Sequence, residues 1–521
     1  MAKKAKEQKS IEAVLWKACD KLRGSIDPGE YKYVILSLIF LKYANDKFDE
    51  QREKMIADGK EAFIEMLPFY QKDNVFFIPE EARWKYLMSQ AKQPDIAIKI
   101  DTALHEIEMK NPALSGALPD NSLSRLALDR TVVSSLLDKM NQLNLKTSDD
   151  KDVFGHVYEY FLRKFAAAEG KGKGEFYTPS SVVATLCALI EPYDGIVYDG
   201  ACGSGGMFVQ SVEFIKQHQG NRRNVSIYGQ ESNPTTMKMA KMNLAIRGIS
   251  GNLGEQEADT FHNDQHKGLK ADFIMANPPF NQKDWREENQ LRDDPRWAGY
   301  EIPPTSNANY AWILNMVSKL SQNGVAGFIL ANGALSADGT ELAIRRKLIE
   351  DKLVEAIVIL PRNLFYSTDI SVTLWIINHN KKAHVAVKNG EEIHYRDRED
   401  EILFMDLRQW GEPFEKKFVQ LSSKNIADVA SVYHSWQQEG FDTSVKGIPE
   451  FWYNASLEEV VAKGYSLVPS KYIEFVNRDE DIDFDSKMTA LQKEMKAILS
   501  DEEQSRIAVK ALFNELGFSL D

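Results

Sequence analysis

Residues 271–280 read ADFIMANPPF. The first six residues form a mostly apolar run typical of a buried strand, and the four that follow, Asn277, Pro278, Pro279 and Phe280, can continue neither a helix nor a sheet interior. Open α/β sheets hold their sites at the carboxyl edges of strands, where this loop stands. Proline fixes φ and pushes the preceding residue to extended geometry, so the Asn277 amide and the Pro278 carbonyl are expected to have little freedom. For this stretch alone, a plain double-proline turn is the alternative.

Two fixed acceptors side by side suit an exocyclic NH2 group. The nitrogen of an aromatic amine is a poor nucleophile because its lone pair is delocalised into the ring. If both N–H bonds point at the Asn277 side-chain oxygen and the Pro278 carbonyl, the nitrogen can pyramidalise and its lone pair can attack. Phe280 would then stack on a base turned out of the duplex. This chemistry requires no metal and no covalent nucleophile, and neither is evident in the sequence.

Short β-rich runs alternate with helical stretches on either side of this loop. The runs are GIVYDG, VSIYGQ, ADFIMAN, GVAGFILA and VEAIVIL, and between them lie segments such as PTTMKMAKMNLAIRG. In that segment Pro234 follows Asn233, a good helix cap with proline at the first helical position. The alternation predicts an α/β fold with a mostly parallel sheet covered by helices.

A glycine-rich turn follows the first of these strands. VYDGACGSGGMF has Asp199 at the end of the strand and Gly200, Gly203, Gly205 and Gly206 in the turn. Glycines let the backbone approach a ligand closely, and the next helix offers its positive end. The spacing is not G-x-G-x-x-G and lacks a phosphate-binding lysine, which argues against NAD and against a Walker-type site. A purely structural βα turn is the alternative.

The second strand, VSIYGQES, ends at Glu231. Parallel topology puts this carboxylate beside the glycine turn, where it can accept both hydrogen bonds from a ribose diol. A surface glutamate that caps the next helix is the alternative for Glu231 taken alone, and the neighbouring glycine turn weakens that alternative.

The composition restricts the class of protein. A chain of 521 residues suggests roughly two to four domains. It has 64 Lys+Arg against 77 Asp+Glu, a formal net charge of -13, which argues against a nucleic-acid binder that relies on its own positive field. Cys19, Cys187 and Cys202 lie far apart, so neither a disulfide framework nor a zinc site is indicated, and a reducing cytoplasm fits. The longest apolar run, residues 33–44, is too short to span a membrane.

The helical and α/β patterns divide the chain into three predicted domains. Residues 1–168 form an N-terminal all-helical domain, which ends at the flexible hinge AAAEGKGKGE. Residues 169–400 form the α/β domain, and residues 401–521 form a C-terminal segment with helices for subunit docking. The residues that mark helices in the first domain are Val14, Leu15, Ala18 and Leu22 on one face, and Pro28 and Pro79 in first turns.

The last predicted helix runs from Ser486 to about residue 516 and carries an apolar seam. Its members step by three and four residues and are Met488, Leu491, Met495 and Ile498, then Val509, Leu512 and Leu516. Such a seam suits a partner helix. Packing of this helix on its own domain is the alternative.

Together these motifs resemble the class I S-adenosylmethionine-dependent methyltransferases, and among them the amino-group DNA methyltransferases with an (N/D/S)-PP-(Y/F/W) motif. The chain is most similar to the modification subunits of type I restriction-modification systems. LWKACDKLRGSIDPGEYKYVILSLIFLKYANDKF resembles the helical domain of that family; GEFYTPSSVV, DGACGSGG, ANPPF and NANYAWI resemble its core, and AKGYSLVPSKYI resembles its C-terminal segment. The resemblance implies a Rossmann-like catalytic domain between an all-helical N-terminal domain and a C-terminal helical tail.

The resemblance also implies roles for individual residues. The catalytic residues are Asn277, Pro278, Pro279 and Phe280. The residues expected to bind S-adenosylmethionine are Glu175, Phe176, Tyr177, Thr178, Pro179 and Ser180 before the first strand, Asp199, Gly200, Ala201, Gly203, Ser204, Gly205 and Gly206 in the turn, and then Glu231 and Asp259. A helix cap is the alternative for Thr178, and a plain loop aspartate is the alternative for Asp259.

Three further stretches were compared with the methyltransferase family. The family prefers TGI where this chain has Ser367-Thr368-Asp369-Ile370, so the loop there is expected to differ locally. Cys202 lies outside the Pro-Cys context of carbon-methylating enzymes and is interpreted as a small residue of the turn. The segment 281–309 has the charge and prolines of an ordered surface loop near the base pocket, with a flexible lid or a long insertion as alternatives.

The activity implied is methyl transfer from S-adenosylmethionine to adenine N6 in duplex DNA, without a metal and away from membranes. No Walker motif is visible, so DNA translocation by this chain is not expected. No basic recognition domain is visible after residue 380, so the acidic chain is expected to need a DNA specificity subunit. The resemblance also implies two copies of this chain per specificity subunit and a translocase/endonuclease restriction subunit as a further candidate partner. It implies a location in the bacterial or archaeal cytoplasm. A methyltransferase acting on protein glutamine or RNA is the alternative. The intact site contradicts an idle scaffold.

Overall fold

The computed structural model describes residues 28–142, 153–169, 178–218, 224–366, 368–388, 390–414, 417–476, 484–515 and 517–518. Some residues that the sequence predictions name are not among the described residues. They are Val14, Leu15, Ala18 and Leu22 of the apolar face, residues 170–175 of the hinge, the cofactor residues Glu175, Phe176 and Tyr177, and also Ser367 and Leu516. The described residues divide into two compact units. One lies within Met1–Gly447 and Phe451–Ile473, and the other within Ile448–Glu450 and Glu474–Asp521.

The described secondary structure confirms the predicted alternation of strands and helices. The α-helices are α1 (Pro28–Ala57), α2 (Pro68–Gln71), α3 (Trp84–Gln90), α4 (Ile96–Lys110), α5 (Ser122–Arg125), α6 (Arg130–Asn141), α7 (Val153–Glu169), α8 (Ser180–Ile190), α9 (Gly206–Gln217), α10 (Pro234–Ile246), α11 (Asn309–Lys319), α12 (Thr340–Glu350), α13 (Ser423–Gln437), α14 (Leu457–Ala462) and α15 (Phe484–Glu515). The strands are β1 (Gly195–Asp199), β2 (Val225–Gly229), β3 (Gly251–Asn252), β4 (Ala271–Ala276), β5 (Leu320–Ala331), β6 (Val354–Ile359), β7 (Val372–Asn378), β8 (His384–Lys388), β9 (Glu391–Tyr395), β10 (Glu401–Asp406), β11 (Glu412–Phe414), β12 (Phe418–Gln420), β13 (Gly447–Ile448) and β14 (Trp452–Ser456).

The N-terminal region is helical, as predicted, and α1 is its central element. Consecutive residues 34–41 of α1 are buried on every side, which is the pattern of a helix surrounded by protein. Lys42 is also buried and is paired with Asp46 one turn later, so the apolar helix carries a compensated charge. Pro28 begins α1, as predicted. Pro79 instead lies one residue before the short 3-10 turn Glu80–Ala82, as its cap.

The central sheet has a switch point between β1 and β4. From β14 onward its strand order is β14-β10-β6-β7-β5-β4-β1-β2-β3. The pairs β1–β2, β1–β4, β2–β3, β4–β5 and β6–β10 are parallel, whereas β7 is antiparallel to β5 and β6, and β14 is antiparallel to β10. The chain passes outward from β1 through β2 and β3 and returns to β4 on the other side of β1. Open α/β sheets bind ligands at such a switch point.

Helices cover both faces of this sheet, which explains its continuous apolar strands. Successive residues Val197 and Tyr198 of β1 enter different buried clusters, and so do Ile274 and Met275 of β4. One cluster includes side chains of α8, α9, α10 and α13, and the other includes side chains of α11 and α12. Strands that are buried on both faces are apolar along their length and do not alternate apolar with polar residues. The helical region also packs here, since the Tyr158 hydroxyl of α7 donates to the Met239 carbonyl of α10.

The sheet continues beyond residue 400, a continuity that the sequence pattern did not predict. After the isolated hairpin of β8 and β9, strand β10 pairs in parallel with β6, and β14 pairs with β10. The predicted C-terminal segment 401–521 therefore shares two strands with the sheet of the predicted catalytic domain. In the second unit, α15 extends over 32 residues, and its start is within two residues of the predicted one. No helix among the described residues combines the length and the apolar character that crossing a membrane requires.

Candidate active site

The glycine turn and the Asn-Pro-Pro-Phe loop meet at one edge of the sheet. Strands β1 and β4 are parallel neighbours, with Val197 opposite Phe273 and Tyr198 opposite Ile274. Both loops leave the carboxyl ends of these strands, after Asp199 and after residue 276. The two motifs that the sequence singled out are therefore brought together at the switch point.

Asn277 is held at one end of its amide and unpartnered at the other. Its Nδ2 donates to Thr178 Oγ1 at 2.9 Å. Its Oδ1 is buried and has no hydrogen-bond partner among the described residues. A buried acceptor without a partner is costly, so such an atom in a folded protein calls for a ligand or another explanation. This oxygen is the one that the sequence analysis assigned to the amine of the substrate.

Thr178 does not cap a helix, so that alternative is wrong. The cap residue of α8 is Pro179, and no side chain caps this helix. Thr178 instead lies where its hydroxyl accepts from Asn277, and Ser180 is the first residue of α8. Six residues before the first strand were expected to bind the cofactor. Of these, Thr178 contacts the Asn-Pro-Pro-Phe loop, and Pro179 and Ser180 follow Thr178 in the chain.

The end of the catalytic loop is anchored by two asparagines. Asn281 has a positive φ of 51°. Its N–H donates to Asn309 Oδ1 at 2.9 Å, and Asn309 Nδ2 donates back to Asn281 Oδ1 at 2.9 Å. Asn309 is buried and belongs to NANYAWI, a motif to which the sequence analysis gave no role. Phe280, just before this anchor, is half-buried and meets Phe365 edge to face, with ring centroids 6.5 Å apart.

The glycine turn is closed by hydrogen bonds from its own backbone. Asp199 Oδ1 accepts from the N–H of Ala201 at 2.9 Å, and Glu231 Oε2 accepts from the N–H of Gly203 at 3.0 Å. Gly203 and Gly205 have φ values of 54° and 77°, which favour glycine. A Cβ added at Gly203 or Gly206 would meet no atom within 4 Å. Open space therefore adjoins the turn on the side of these residues.

Glu231 links the turn to the start of the next helix. Its Oε1 accepts from the N–H of Asn233 at 2.9 Å. The side chain that caps α10 is Asn233, which accepts from Thr235 and Thr236, so the helix cap alternative for Glu231 is wrong. The Ser232 hydroxyl also donates to Oε1, at 3.4 Å.

Asp199 is a buried acid next to this turn. Burial raises the pKa of the Asp199 carboxyl to about 8; the hydrogen bond from Ala201 opposes the shift, and the charge of Glu231 adds to it. Perturbed acids of this kind cluster at functional sites, although structural networks also produce them. Cys202, also in the turn, is buried, and burial raises the pKa of its thiol well above the ordinary value. A neutral buried thiol agrees with its interpretation as a small residue of the turn.

Asp259 lies in a loop that is tied to the glycine turn. Its Oδ1 accepts from the N–H groups of Phe261 and His262, both at 2.9 Å, so it shapes a local turn. The Thr260 hydroxyl donates to the Gly200 carbonyl. The loop is thus fixed against the turn, and Asp259 remains partly exposed there, with a side-chain exposure of 43%. Among the described residues, no group of three or more His, Cys, Asp or Glu side chains could hold a metal ion.

The segment 281–309 is an ordered surface loop, as its composition predicted. Trp285 and Trp297 are 4% and 3% exposed, and both belong to the buried cluster on the α11 side of the sheet. The indole N–H of Trp285 donates to the Pro304 carbonyl, and that of Trp297 donates to the Leu291 carbonyl. Anchored tryptophans of this kind leave no support for the flexible lid.

Two family models and two relatives match this chain over most of its length. The model of the N-6 DNA methylase family matches residues 149–481, and that of the HsdM N-terminal domain matches residues 11–140. The chain is 34% identical over 528 residues to the type I restriction enzyme MjaIX methylase subunit of Methanocaldococcus jannaschii, which covers 98% of this chain and 92% of that protein. It is 38% identical over 465 residues to the type I restriction enzyme HindI methylase subunit of Haemophilus influenzae, which covers 85% of this chain and all of that one, 100%.

A solved structure shows the same fold. It is the crystal structure of the methyltransferase subunit of a type I restriction-modification system from Streptococcus thermophilus, with a TM-score of 0.70 and 24% sequence identity over 90% of this chain and 100% of that one. This likeness confirms the predicted class I methyltransferase fold, with its helical N-terminal region. On the family match and the two relatives, this chain belongs to the N-6 DNA methylase family and is a methylase subunit of the type I restriction enzyme group.

Proposed function

We propose that Asn277 Oδ1 and the Pro278 carbonyl accept the two N–H bonds of an adenine N6 amine that has been turned out of duplex DNA. Membership of the N-6 DNA methylase family makes the chain an adenine-specific DNA methyltransferase, and the proposal concerns the residues that perform the reaction. The observation that carries it is the buried and unpartnered Oδ1 of Asn277. An amine that donates to this oxygen would remove the cost of the unsatisfied acceptor.

The geometry around Asn277 supports a role in orienting the amine. Thr178 occupies Nδ2 of the amide, so Oδ1 is the end left for the substrate. Two acceptors that bind both N–H bonds favour a pyramidal nitrogen, whose lone pair then points away from them towards the methyl donor. Phe280 would stack on the base. Catalysis by these residues is mainly a matter of position.

We place S-adenosylmethionine in the open space beside the glycine turn, where it would supply an electrophilic sulfonium methyl group. The absence of any atom around a Cβ at Gly203 or Gly206 supports a ligand there. Glu231 would accept from the ribose hydroxyls, and Asp259 would lie at the adenine end. Asp199, Gly200, Ala201, Ser204 and Gly205 would shape the pocket wall, with Thr178, Pro179 and Ser180 as further cofactor residues.

Type I methylase subunits are parts of multisubunit restriction enzymes, and we extend this to the present chain. With a net charge of -13 the chain has little positive field of its own for DNA. A DNA specificity subunit would supply the sequence readout and phosphate contacts, with two copies of this chain on each specificity subunit and a restriction subunit as a further partner. The reaction would take place in the cytoplasm of a bacterium or archaeon.

The test is methyl transfer by Asn277→Ala. The assay uses the complex with the specificity subunit and duplex genomic DNA from cells that lack this chain. Asn277→Ala should raise the barrier by several kcal/mol and so lower the turnover rate about 100-fold or more. Asn277→Asp keeps an acceptor oxygen and should retain measurable turnover. The Kd of both variants for S-adenosylmethionine should stay within about threefold of wild type. Retained turnover in the alanine variant would refute the assignment, and methyl acceptance by RNA or protein in place of duplex DNA would favour the alternative substrate class.

A further inference from the structure

A buried arginine connects the segment 281–309 to the loop that carries Asp259. Arg296 lies in the 3-10 turn Pro295–Trp297, and its side chain is 9% exposed. Nη1 donates to the Thr260 carbonyl at 2.8 Å, and Nη2 donates to the Phe261 carbonyl at 2.6 Å. The guanidinium thus binds two successive carbonyls directly after Asp259.

Every donor of this guanidinium has an acceptor. Nε donates to Asp294 Oδ1 at 2.8 Å and Nη2 donates to Asp294 Oδ2 at 2.7 Å, while Nη1 also meets Asn315 Oδ1 at 3.3 Å. With the two loop carbonyls, these bonds use all five N–H groups of an arginine. Asp294 balances the buried charge: burial alone would raise the pKa of its carboxyl, but the hydrogen bonds and charge of Arg296 outweigh burial and lower it. A lysine could not reproduce this planar fork.

The loop held by Arg296 is bound to the glycine turn on its other side. The Thr260 hydroxyl donates to the Gly200 carbonyl, and the N–H of Ala258 donates to the Glu231 carbonyl at 3.0 Å. Asp259 stands between these two tethers. Its position therefore depends on attachments to the turn, to the residue expected to bind ribose, and to Arg296. Gln230 Nε2 also donates to the Ala258 carbonyl at 3.0 Å, and His262 Nε2 lies 3.1 Å from Gln290 Oε1.

Aromatic packing joins the same two parts of the chain. The ring of Phe261 lies 4.6 Å from that of Trp285 and 4.5 Å from that of Trp312, measured between centroids. The guanidinium of Arg296 lies over the rings of Phe261 and Trp297, at 5.7 Å and 5.1 Å. Arg296 is thus embedded in a rigid cluster, which suits a residue that fixes the position of a loop.

The segment 281–309 is also fixed to the catalytic loop at its start. Asn281 follows Phe280 directly, and its reciprocal hydrogen bonds with Asn309 anchor it to the first turn of α11. One segment therefore contacts the catalytic loop at its beginning and the Asp259 loop through Arg296. It is a physical connection between the expected base pocket and the expected cofactor pocket.

We infer that Arg296 is a positioning residue for S-adenosylmethionine, acting through the loop 258–262 without touching the cofactor. This inference rests on the proposed function, since it takes Asp259 and the glycine turn as the cofactor site. Without the guanidinium fork, the Thr260 and Phe261 carbonyls lose their donors, and the loop is held less firmly, by its bonds to the Gly200 and Glu231 carbonyls. Small displacements of this kind reduce affinity strongly even when no direct contact is lost.

The experiment compares Arg296→Lys with Arg286→Lys. Arg286 is a matched control because it lies in the same segment and donates to carbonyls within that segment, namely those of Glu287, Glu288, Gln290 and Pro303. Calorimetry on the full chain measures the Kd for S-adenosylmethionine. Arg296→Lys should raise this Kd about tenfold, and Arg286→Lys should leave it within about twofold of wild type. In complex with the specificity subunit, KM for S-adenosylmethionine should rise with Kd, while kcat at saturation should change less than about threefold.

Two results would overturn the inference. The first is a wild-type Kd for Arg296→Lys. The second is an equal rise in Kd for both arginine variants, since that would reflect a general loosening of the segment. If Arg296→Lys lowers the thermal unfolding midpoint, Thr260→Val is the second variant that tests the role of the loop. It removes the hydrogen bond to the Gly200 carbonyl and leaves the guanidinium in place. Thr260→Val should also raise Kd by several-fold, and an unchanged Kd would refute the role of the loop.

Failure of this inference can be distinguished from failure of the proposed function. If wild-type protein does not bind S-adenosylmethionine, or if Asn277→Ala retains turnover, the proposed function is wrong. If wild type binds, Asn277→Ala loses turnover and Arg296→Lys binds as wild type does, only the role of Arg296 is wrong.

Discussion

The amide of Asn277 donates through Nδ2 to Thr178 Oγ1 at 2.9 Å, across 99 residues of chain. This bond occupies one end of the amide, and under the proposed function the other end faces the substrate. Because Nδ2 is occupied, the buried Oδ1 is the atom left to accept from an amine. Thr178 thereby takes part in the arrangement of the catalytic loop, beyond the cofactor contact for which the sequence singled it out.

Thr178→Val should therefore reduce turnover. Valine keeps the shape of the side chain and removes the hydroxyl, so the Asn277 amide loses its hydrogen bond to Thr178 and can rotate. The loss of one hydrogen bond of about 1.4 kcal/mol lowers kcat about tenfold. Single-turnover methyl transfer at saturating S-adenosylmethionine measures it. Thr178→Ser keeps the hydroxyl and serves as the control, which should stay near wild type. Equal rates for the valine and serine variants would refute this role.

The sequence predicted the parts of the site that depend on local pattern and on strand order. Asp199 and Asn277 each follow a continuous apolar run, and parallel strands bring their carboxyl ends to one edge. The glycine turn has its own signature, because positive φ at Gly203 and Gly205 favours that residue. The cap at Asn233 is equally local, since it involves only the next three residues.

The bonds between distant segments could not be predicted. Thr178 meets Asn277 and Arg296 meets Thr260 only in the folded chain, and neither pair shares a motif or a period. The strands after residue 380 were missed for a related reason. Strand β10 joins the sheet beside β6, and the pairing is set by the sheet rather than by the sequence near β10.

Removal of the Glu231 carboxylate should weaken binding of S-adenosylmethionine. Glu231→Ala deletes the acceptor expected for the ribose diol and also the acceptor of the Gly203 N–H. We expect a loss of about 1 to 3 kcal/mol, a rise in Kd of roughly 5- to 150-fold, by calorimetry. Glu231→Gln keeps one oxygen and should lose less. Unchanged affinity in Glu231→Ala would move the ribose contact elsewhere.

Asp199 should make the stability of the protein depend on pH. Its pKa is about 8 in the folded protein, against an ordinary value of 3.8. Between these values the folded protein binds a proton that the unfolded chain has released, so the free energy of unfolding falls as pH rises through this window and levels off above about pH 8. The slope is at most about 1.4 kcal/mol per pH unit.

Asp199→Asn isolates this contribution. The amide stays neutral at every pH, and its oxygen can still accept from the Ala201 N–H. The apparent Tm, measured from pH 5.5 to 8.5 without ligand, should fall more steeply for wild type than for Asp199→Asn. Parallel profiles would show that Asp199 is ionised in the folded protein throughout this range.

The helix α15 carries an exposed apolar seam. Met488, Leu491, Met495 and Ile498 are 48%, 50%, 57% and 57% exposed, and Val509 and Leu512 are 49% and 55% exposed. Their spacing of three and four residues puts each group on one side of the helix. Docking of a partner helix on this seam stays a prediction, with packing on its own domain as the alternative.

Ending the chain before Ser486 should weaken assembly with the specificity subunit and leave the Kd for S-adenosylmethionine unchanged, because the assigned cofactor residues all lie in the other compact unit. Leu491→Glu tests the seam with the helix intact, since a buried carboxylate would disfavour the interface. Lys493 lies two residues after Leu491 and outside the seam, so Lys493→Glu is the matched control for the added negative charge. Co-purification and analytical ultracentrifugation with the specificity subunit should show dissociation for Leu491→Glu and the truncated chain, and a complex for Lys493→Glu. A stable complex with the truncated chain would mean that the specificity subunit docks elsewhere.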